Sequence, residues 1–142
     1  EDIDVIISTG TKFDARKLKN MPSNVHIYSS VPQLAVLKTA DVFITHGGMN
    51  SISEALTYGI PMAIIPFVSD QPVNARCMET IGVGKVLEPS LIQADTLKDT
   101  VLYVLSDDTI KHNMEQIQYM IKNAPGNKGG AKMIIDYYGD LK

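Results

Sequence analysis

The sequence predicts an α/β protein, a parallel sheet flanked by helices, in one domain spanning residues 1–142. Three observations carry that prediction. Apolar runs of strand length alternate with helical patterns, the order that parallel βαβ units require. Glycine and proline punctuate the joints between them. And 142 residues with 44% hydrophobic side chains suffice to bury a real core.

The elements follow in order. Asp4 to Ser8 (DVIIS) reads as a short buried strand. Thr9 to Met21 is polar, with a brief helix expected near Ala15 to Lys19. Val25 to Tyr28 is a second strand. Val31-Pro32-Gln33 opens a helical pattern that carries Leu34 and Leu37 before Asp41. Val42 to Thr45 is the third strand, and His46-Gly47-Gly48 follows it at once. In the next segment Ile52, Ala55 and Leu56 fall at i, i+3 and i+4, one buried helix face. Gly59 is a natural stop and Pro61 prevents continuation. Met62 to Ile65 is a fourth strand, Pro66 to Asp70 a loop and Gln71 to Ile81 a helix. Gly82-Val83-Gly84 turns the chain into a strand at Lys85 to Leu87. The rest is helical: Thr96 to Leu105, Asp108 to Asn123 and, after the break at Pro125-Gly126-Asn127, Gly130 to Tyr138. Met114 and Met120 read as core. Ile3 already lies inside an apparent strand, so the chain reads as a fragment.

Charge narrows the function classes. The net charge is -3, and arginine occurs only at 16 and 76, so nucleic-acid binding is not expected. Nothing resembles a signal peptide. The apolar run around Ile60 to Val68 is broken by Pro61 and Pro66 and is too short to span a bilayer. Cys77 is the only cysteine, which rules out an intrachain disulfide and fits a cytoplasmic setting. No His, Cys or Asp cluster has metal spacing, so no metal or cofactor is expected. No nucleophile elbow, Walker loop or GxGxxG occurs.

Two corners can carry chemistry. At the first, a strand ends, His46-Gly47-Gly48 follows, and a helix starts around Asn50 and Ser51. Glycines let backbone approach a ligand, and a helix start presents unpaired N–H groups with a partial positive charge. That order suits an anion such as a nucleotide diphosphate, with His46 donating to a phosphate oxygen. The plain alternative is a tight turn whose histidine caps a strand. Ser51 and Glu54 have capping-box spacing, which explains both without a ligand. Alternatively Glu54 accepts from the two hydroxyls of a ribose. At the second corner, Asp70 suits an N-cap and Pro72 the first helical turn. The other reading gives Asp70 and Gln71 to the vicinal hydroxyls of a sugar. Both corners are expected at the carboxyl edge of the sheet, where ligands of open α/β sheets bind.

Taken together the pieces are specific. Val31-Pro32-Gln33-Leu34, Ala40-Asp41-Val42-Phe43-Ile44-Thr45-His46-Gly47-Gly48-Met49-Asn50-Ser51, Glu54-Ala55-Leu56, Gly59-Ile60-Pro61-Met62, Pro66, and Asp70-Gln71 with Asn74-Ala75 resemble the donor-binding signature of UDP-sugar-dependent glycosyltransferases. The nearest likeness is the bacterial macrolide-type branch. It runs from about Val5 to Leu87 and more loosely to the C-terminus.

The resemblance implies the C-terminal, Rossmann-like half of a GT-B fold, here without the family's first strand. A separate N-terminal acceptor domain would carry the catalytic base, so this piece alone is expected to be inactive. It assigns the diphosphate to His46, Gly47, Gly48, Asn50 and Ser51, and the ribose to Glu54 with Gln33. Val31 would meet the base by its backbone, and Asp70 and Gln71 would hold the sugar, often glucose. The implied reaction is metal-independent inversion, moving a hexose from UDP to a small-molecule hydroxyl. One departure is that Ser30 stands where many members carry a base-stacking tryptophan; Tyr28 is the neighbour that could replace it. A donor subunit paired with a separate acceptor subunit, or a non-catalytic nucleotide-sugar binding module, fits the same corners. An oligomer is compatible with either.

Overall fold

Short runs of apolar and β-branched residues make the strands, and each is bounded by the turn residues that the sequence supplies. The computed structural model describes residues 3–13 and 20–139. The helix expected near Ala15 to Lys19 lies outside them. By compactness the chain divides into two units, Glu1–Thr39 and Ala40–Lys142.

The first unit holds β1 (Val5–Ser8), β2 (Val25–Tyr28) and α1 (Gln33–Leu37). β1 and β2 pair in parallel, Val5 with Val25 through Ser8 with Tyr28. Pro32 starts α1, and Leu37 is its buried residue.

The second unit runs β3 (Phe43–Thr45), α2 (Met49–Tyr58), β4 (Met62–Ile64), α3 (Gln71–Thr80) and β5 (Gly84–Val86). A 3-10 turn at Pro89–Leu91 follows, then α4 (Ala94–Ser106), α5 (Asp108–Asn123) and α6 (Gly126–Gly139). The strands form a parallel sheet in the order β3-β4-β5. Phe43 pairs with Met62 and Thr45 with Ile64; Met62 pairs with Gly84 and Ile64 with Val86. All three residues of β4 are buried, as a central parallel strand covered on both faces requires. The core gathers Ile52 and Ala55 of α2, Met62 and Ile64 of β4, Ala75 of α3, Met114 of α5, and Val83 from the turn before β5.

This register places the site. Thr45 and Ile64 end neighbouring strands at the same level, so the chain leaves the sheet twice at one edge. The two exits are His46-Gly47-Gly48 and Pro66 to Asp70, the two corners that the sequence singles out.

β1 pairs as expected but is not the buried strand expected, since Ile6 is 48% exposed, and three other expectations of this fold need correction. Met114 is buried, but Met120 is 63% exposed. Six residues turn an α-helix by about 600°, well off the face that Met114 occupies. The α5 stripe continues through Ile117, which packs against the core. Second, Ser51 is not an N-cap: α2 begins at Met49 with Gly48 as its cap, so Ser51 lies inside the first turn and the capping-box reading fails. Third, α6 starts at Gly126 instead of Gly130. Gly59, in the left-handed region at φ 74°, closes α2 as expected.

Candidate functional site

Thr45 is the buried polar residue that ends β3, and its Oγ1 accepts from the Gly47 amide at 3.3 Å. Gly47 has φ 85°, a conformation that side chains rarely adopt. A Cβ there would meet Ile64 Cγ2 at 3.1 Å and the Gln71 carbonyl at 3.4 Å. The turn therefore lies tight against β4 and the start of α3. At Gly48 an added Cβ would lie 2.6 Å from His46 Nε2. The imidazole is folded over the glycine, directly beside the start of α2.

Gly48, the N-cap of α2, has no side chain with which to cap it. Ile52 N bonds back to the Gly48 carbonyl at 3.0 Å, which leaves the amides of Met49, Asn50 and Ser51 as the first-turn donors without an intrahelical acceptor. His46, Gly48, Met49, Asn50 and Ser51 line an open hollow of about 380 Å³. Glu54 is half-buried and lies four residues beyond Asn50 on α2. That spacing puts the two on one helix face, about 6 Å apart along the axis.

The second corner is built from hydrogen bonds. Asp70 occupies the N-cap position of α3 but makes no side-chain cap, because its backbone is already helical at φ -80°, ψ -11°. Its carboxylate turns to Asn74 and accepts from Nδ2 at 2.8 Å. That bond, above all, holds the Asp70 carboxyl below its ordinary value; the residue's own amide and the Ser69 hydroxyl add to the effect, and attraction to His46 reaches it too. Gln71 Oε1 accepts from the Phe67 and Val68 amides at 2.9 and 3.1 Å. This commits its carbonyl to the loop and leaves its NH₂ as the group it can offer a ligand. The pair is thus an acceptor, Asp70, beside a donor, Gln71. Ser69, at φ 62°, carries the strain of presenting them.

One residue joins the corners. Asn74 Nδ2 also donates to the Gly47 carbonyl at 3.1 Å. The sequence reading gives Asn74 no role. The available signal is its i+4 spacing from Asp70, which on a helix puts a carboxamide within reach of the carboxylate.

The structure therefore brings His46, Gly47, Gly48, Asn50, Ser51, Glu54, Asp70 and Gln71 into the second unit, with the two corners bonded together. Val31 and Gln33 belong to the first unit, at the approach to and the first residue of α1. Tyr28 ends β2 and is half-exposed. A second hollow, of about 420 Å³, lies along α3 among Val73, Arg76, Cys77, Thr80 and Ile81 and contains none of the sequence-predicted site residues. Among the described residues no group of three His, Cys, Asp or Glu could hold a metal ion. Nor is any described helix long and apolar enough to cross a membrane.

Comparison with known proteins adds an independent line. A family profile described as UDP-glucoronosyl and UDP-glucosyl transferase matches residues 10–128. The NDP-glycosyltransferase YjiC of Bacillus licheniformis is 38% identical over 132 residues, 93% of this chain and 32% of that protein. The oleandomycin glycosyltransferase of Streptomyces antibioticus is 32% identical, over 92% of this chain and 30% of that one. Among solved structures, the glycotransferase of kitacinnamycin superimposes with a TM-score of 0.86 at 33% identity, covering 94% of this chain and 34% of its own. The chain spans about a third of the length of the curated relatives it matches.

Proposed function

This chain belongs to the UDP-glucoronosyl and UDP-glucosyl transferase family, and from that membership we propose that residues 1–142 are the donor-binding domain of a transferase moving a hexose, glucose by preference, from UDP to a hydroxyl of a small-molecule acceptor. Its architecture is α/β of the GT-B type, and its relatives include bacterial macrolide-type glycosyltransferases. The observation that carries the reading is the bonded pair of corners at one sheet edge. An anion-binding turn and an accept-and-donate pair lie side by side, tied through Asn74.

In this reading the diphosphate lies against the first-turn amides of α2, with His46 donating from its place over Gly48. The ribose is held by Glu54, one turn along. For Val31 and Gln33, the family resemblance supports the base and ribose roles. Asp70 accepts from one sugar hydroxyl, and the Gln71 NH₂ donates to the next.

The acceptor hydroxyl attacks the anomeric carbon, and a base in the acceptor domain takes its proton. The bond from that carbon to the phosphate oxygen breaks with inversion, and UDP leaves with the electron pair. Charge growing on the leaving phosphate is met by the helix start and His46. A helix N-terminus contributes roughly 0.3–1 kcal/mol when exposed and up to about 2 when partly buried, so His46 and several amides must act together. The chemistry needs no metal, and this domain without the acceptor domain is inactive.

The test is calorimetric titration of the full-length protein with UDP and UDP-glucose, repeated on His46→Ala and Glu54→Ala. Both substitutions should weaken UDP binding. Wild-type binding left unchanged by both would reject the site.

A further inference from the structure

Asn74 is half-buried and holds no place in the ligand contacts proposed above. Its carboxamide has two N–H donors, and both are spent inside the protein. One meets Asp70 Oδ2 at 2.8 Å and the other the Gly47 carbonyl at 3.1 Å. Gly47 is thereby fixed on both sides, since its own amide already meets Thr45 Oγ1 at 3.3 Å. That peptide sets the direction of everything after it: the His46 imidazole over Gly48, and the amides that open α2. The same side chain is the foremost of the groups that hold the Asp70 carboxylate, ahead of the residue's own amide and the Ser69 hydroxyl.

Few side chains can do this. An aspartate at 74 has no donor and would set a second carboxylate against Asp70. A serine has one donor and a shorter reach. A carboxamide of this length supplies two divergent donors on one rigid plane.

We propose that Asn74 is a positioning residue that locks the sugar-facing carboxylate to the diphosphate corner, so that the two ends of a nucleotide sugar are read in one fixed register. The inference rests on the donor-site reading and deepens it. A leaving phosphate and the sugar carbon it departs from are adjacent atoms of one ligand. A small error in spacing between their holders therefore costs catalysis as well as binding.

The test uses the full-length protein, with Asn74→Ala and the isosteric Asn74→Asp as variants. Calorimetry gives the affinities for UDP and UDP-glucose, and steady-state transfer gives kcat and KM per titrated site. The expected result is a coupled loss in both variants. UDP binding weakens by about 5-fold, the effect of one ordinary hydrogen bond. The extra affinity of UDP-glucose over UDP disappears, and kcat per site falls by at least about 10-fold. Asn74→Asp keeps the volume of the side chain, so its result stands even if the truncation fails to fold. Loss of the UDP-glucose increment with UDP affinity intact would overturn the proposal, since Asn74 would then serve Asp70 alone. So would a lower melting temperature with both affinities and kcat per site unchanged. Should the wild type itself not bind UDP, or bind it equally well as His46→Ala, the donor-site reading fails, and this inference with it.

Discussion

Replacing Gly48 with alanine should disable the diphosphate corner without unfolding it. Gly48 sits at φ -68°, ψ 140°, a basin open to every residue, so the backbone there needs no glycine. What the glycine provides is space. The new methyl would lie 2.6 Å from His46 Nε2, about 1 Å inside ordinary contact. The imidazole is exposed and can swing away by rotating about its own bonds. The fold should therefore lose little. Alanine is a poorer helix cap than glycine by up to about 1 kcal/mol. Binding should lose far more, because a hydrogen bond to a charged group contributes roughly 1.5–3 kcal/mol. That corresponds to about 10- to 100-fold in the Kd for UDP. Calorimetry on Gly48→Ala, His46→Ala and the double variant reads the effect, with urea unfolding as the control on the fold. The double variant should bind no more weakly than His46→Ala alone. Gly48→Ala binding UDP within about 2-fold of wild type while His46→Ala fails would refute the idea that this contact places the ring, since the expected minimum is one decade.

Further outcomes follow from the same geometry. Gly47→Ala forces a side chain into the left-handed region, at roughly 1–2 kcal/mol, against Ile64 and the Gln71 carbonyl, so unlike Gly48→Ala it should lower the urea midpoint as well as UDP affinity. Gly84→Ala would press a methyl onto the Met62 carbonyl of the neighbouring strand, which cannot move aside; a loss of about 1–3 kcal/mol in unfolding free energy is expected. Asp107 caps α5, accepting from the Thr109 and Ile110 amides at 2.8 and 3.0 Å, and the Tyr103 hydroxyl, first among its partners, holds its carboxyl below the ordinary value. A depressed folded value means stability that is present above about pH 3.8 and fades as the pH drops through that lower value. Urea midpoints of Asp107→Asn should thus lie below wild type at neutral pH and converge with it in acid. Replacing Gln71 with His should shift the preference among UDP-sugars more than affinity for UDP; an equal loss for UDP itself would refute its place at the sugar.

Much of this is legible in the sequence. β3, the histidine-glycine exit and the end of α2 at Gly59 were readable because each is set by local sequence: a β-branched and aromatic run, a flexible turn, a left-handed stop. The common edge of the two corners was readable from the alternation of strands and helices alone. The failures share a physical cause, which is that side-chain partners depend on backbone angles the sequence does not state. Ser51 and Glu54 have the spacing of a capping box, yet Gly48 takes the extended angles of a cap and starts the helix at Met49. Asp70 has the chemistry of an N-cap, yet its helical backbone turns the carboxylate toward Asn74. Asn74 was visible within the motif, and its bond to Asp70, 4 positions away, follows from helical spacing, but its bond to Gly47, 27 positions away, is made only by the fold. Met120 lies off the buried stripe because a step of six residues from Met114 turns a regular helix to another face.

A crystal structure of the full-length protein with UDP tests the central claim most directly. The account predicts phosphate oxygens within hydrogen-bond reach of the first-turn amides of α2 and of the His46 imidazole. A diphosphate bound away from the turn between Thr45 and Ser51 would contradict it.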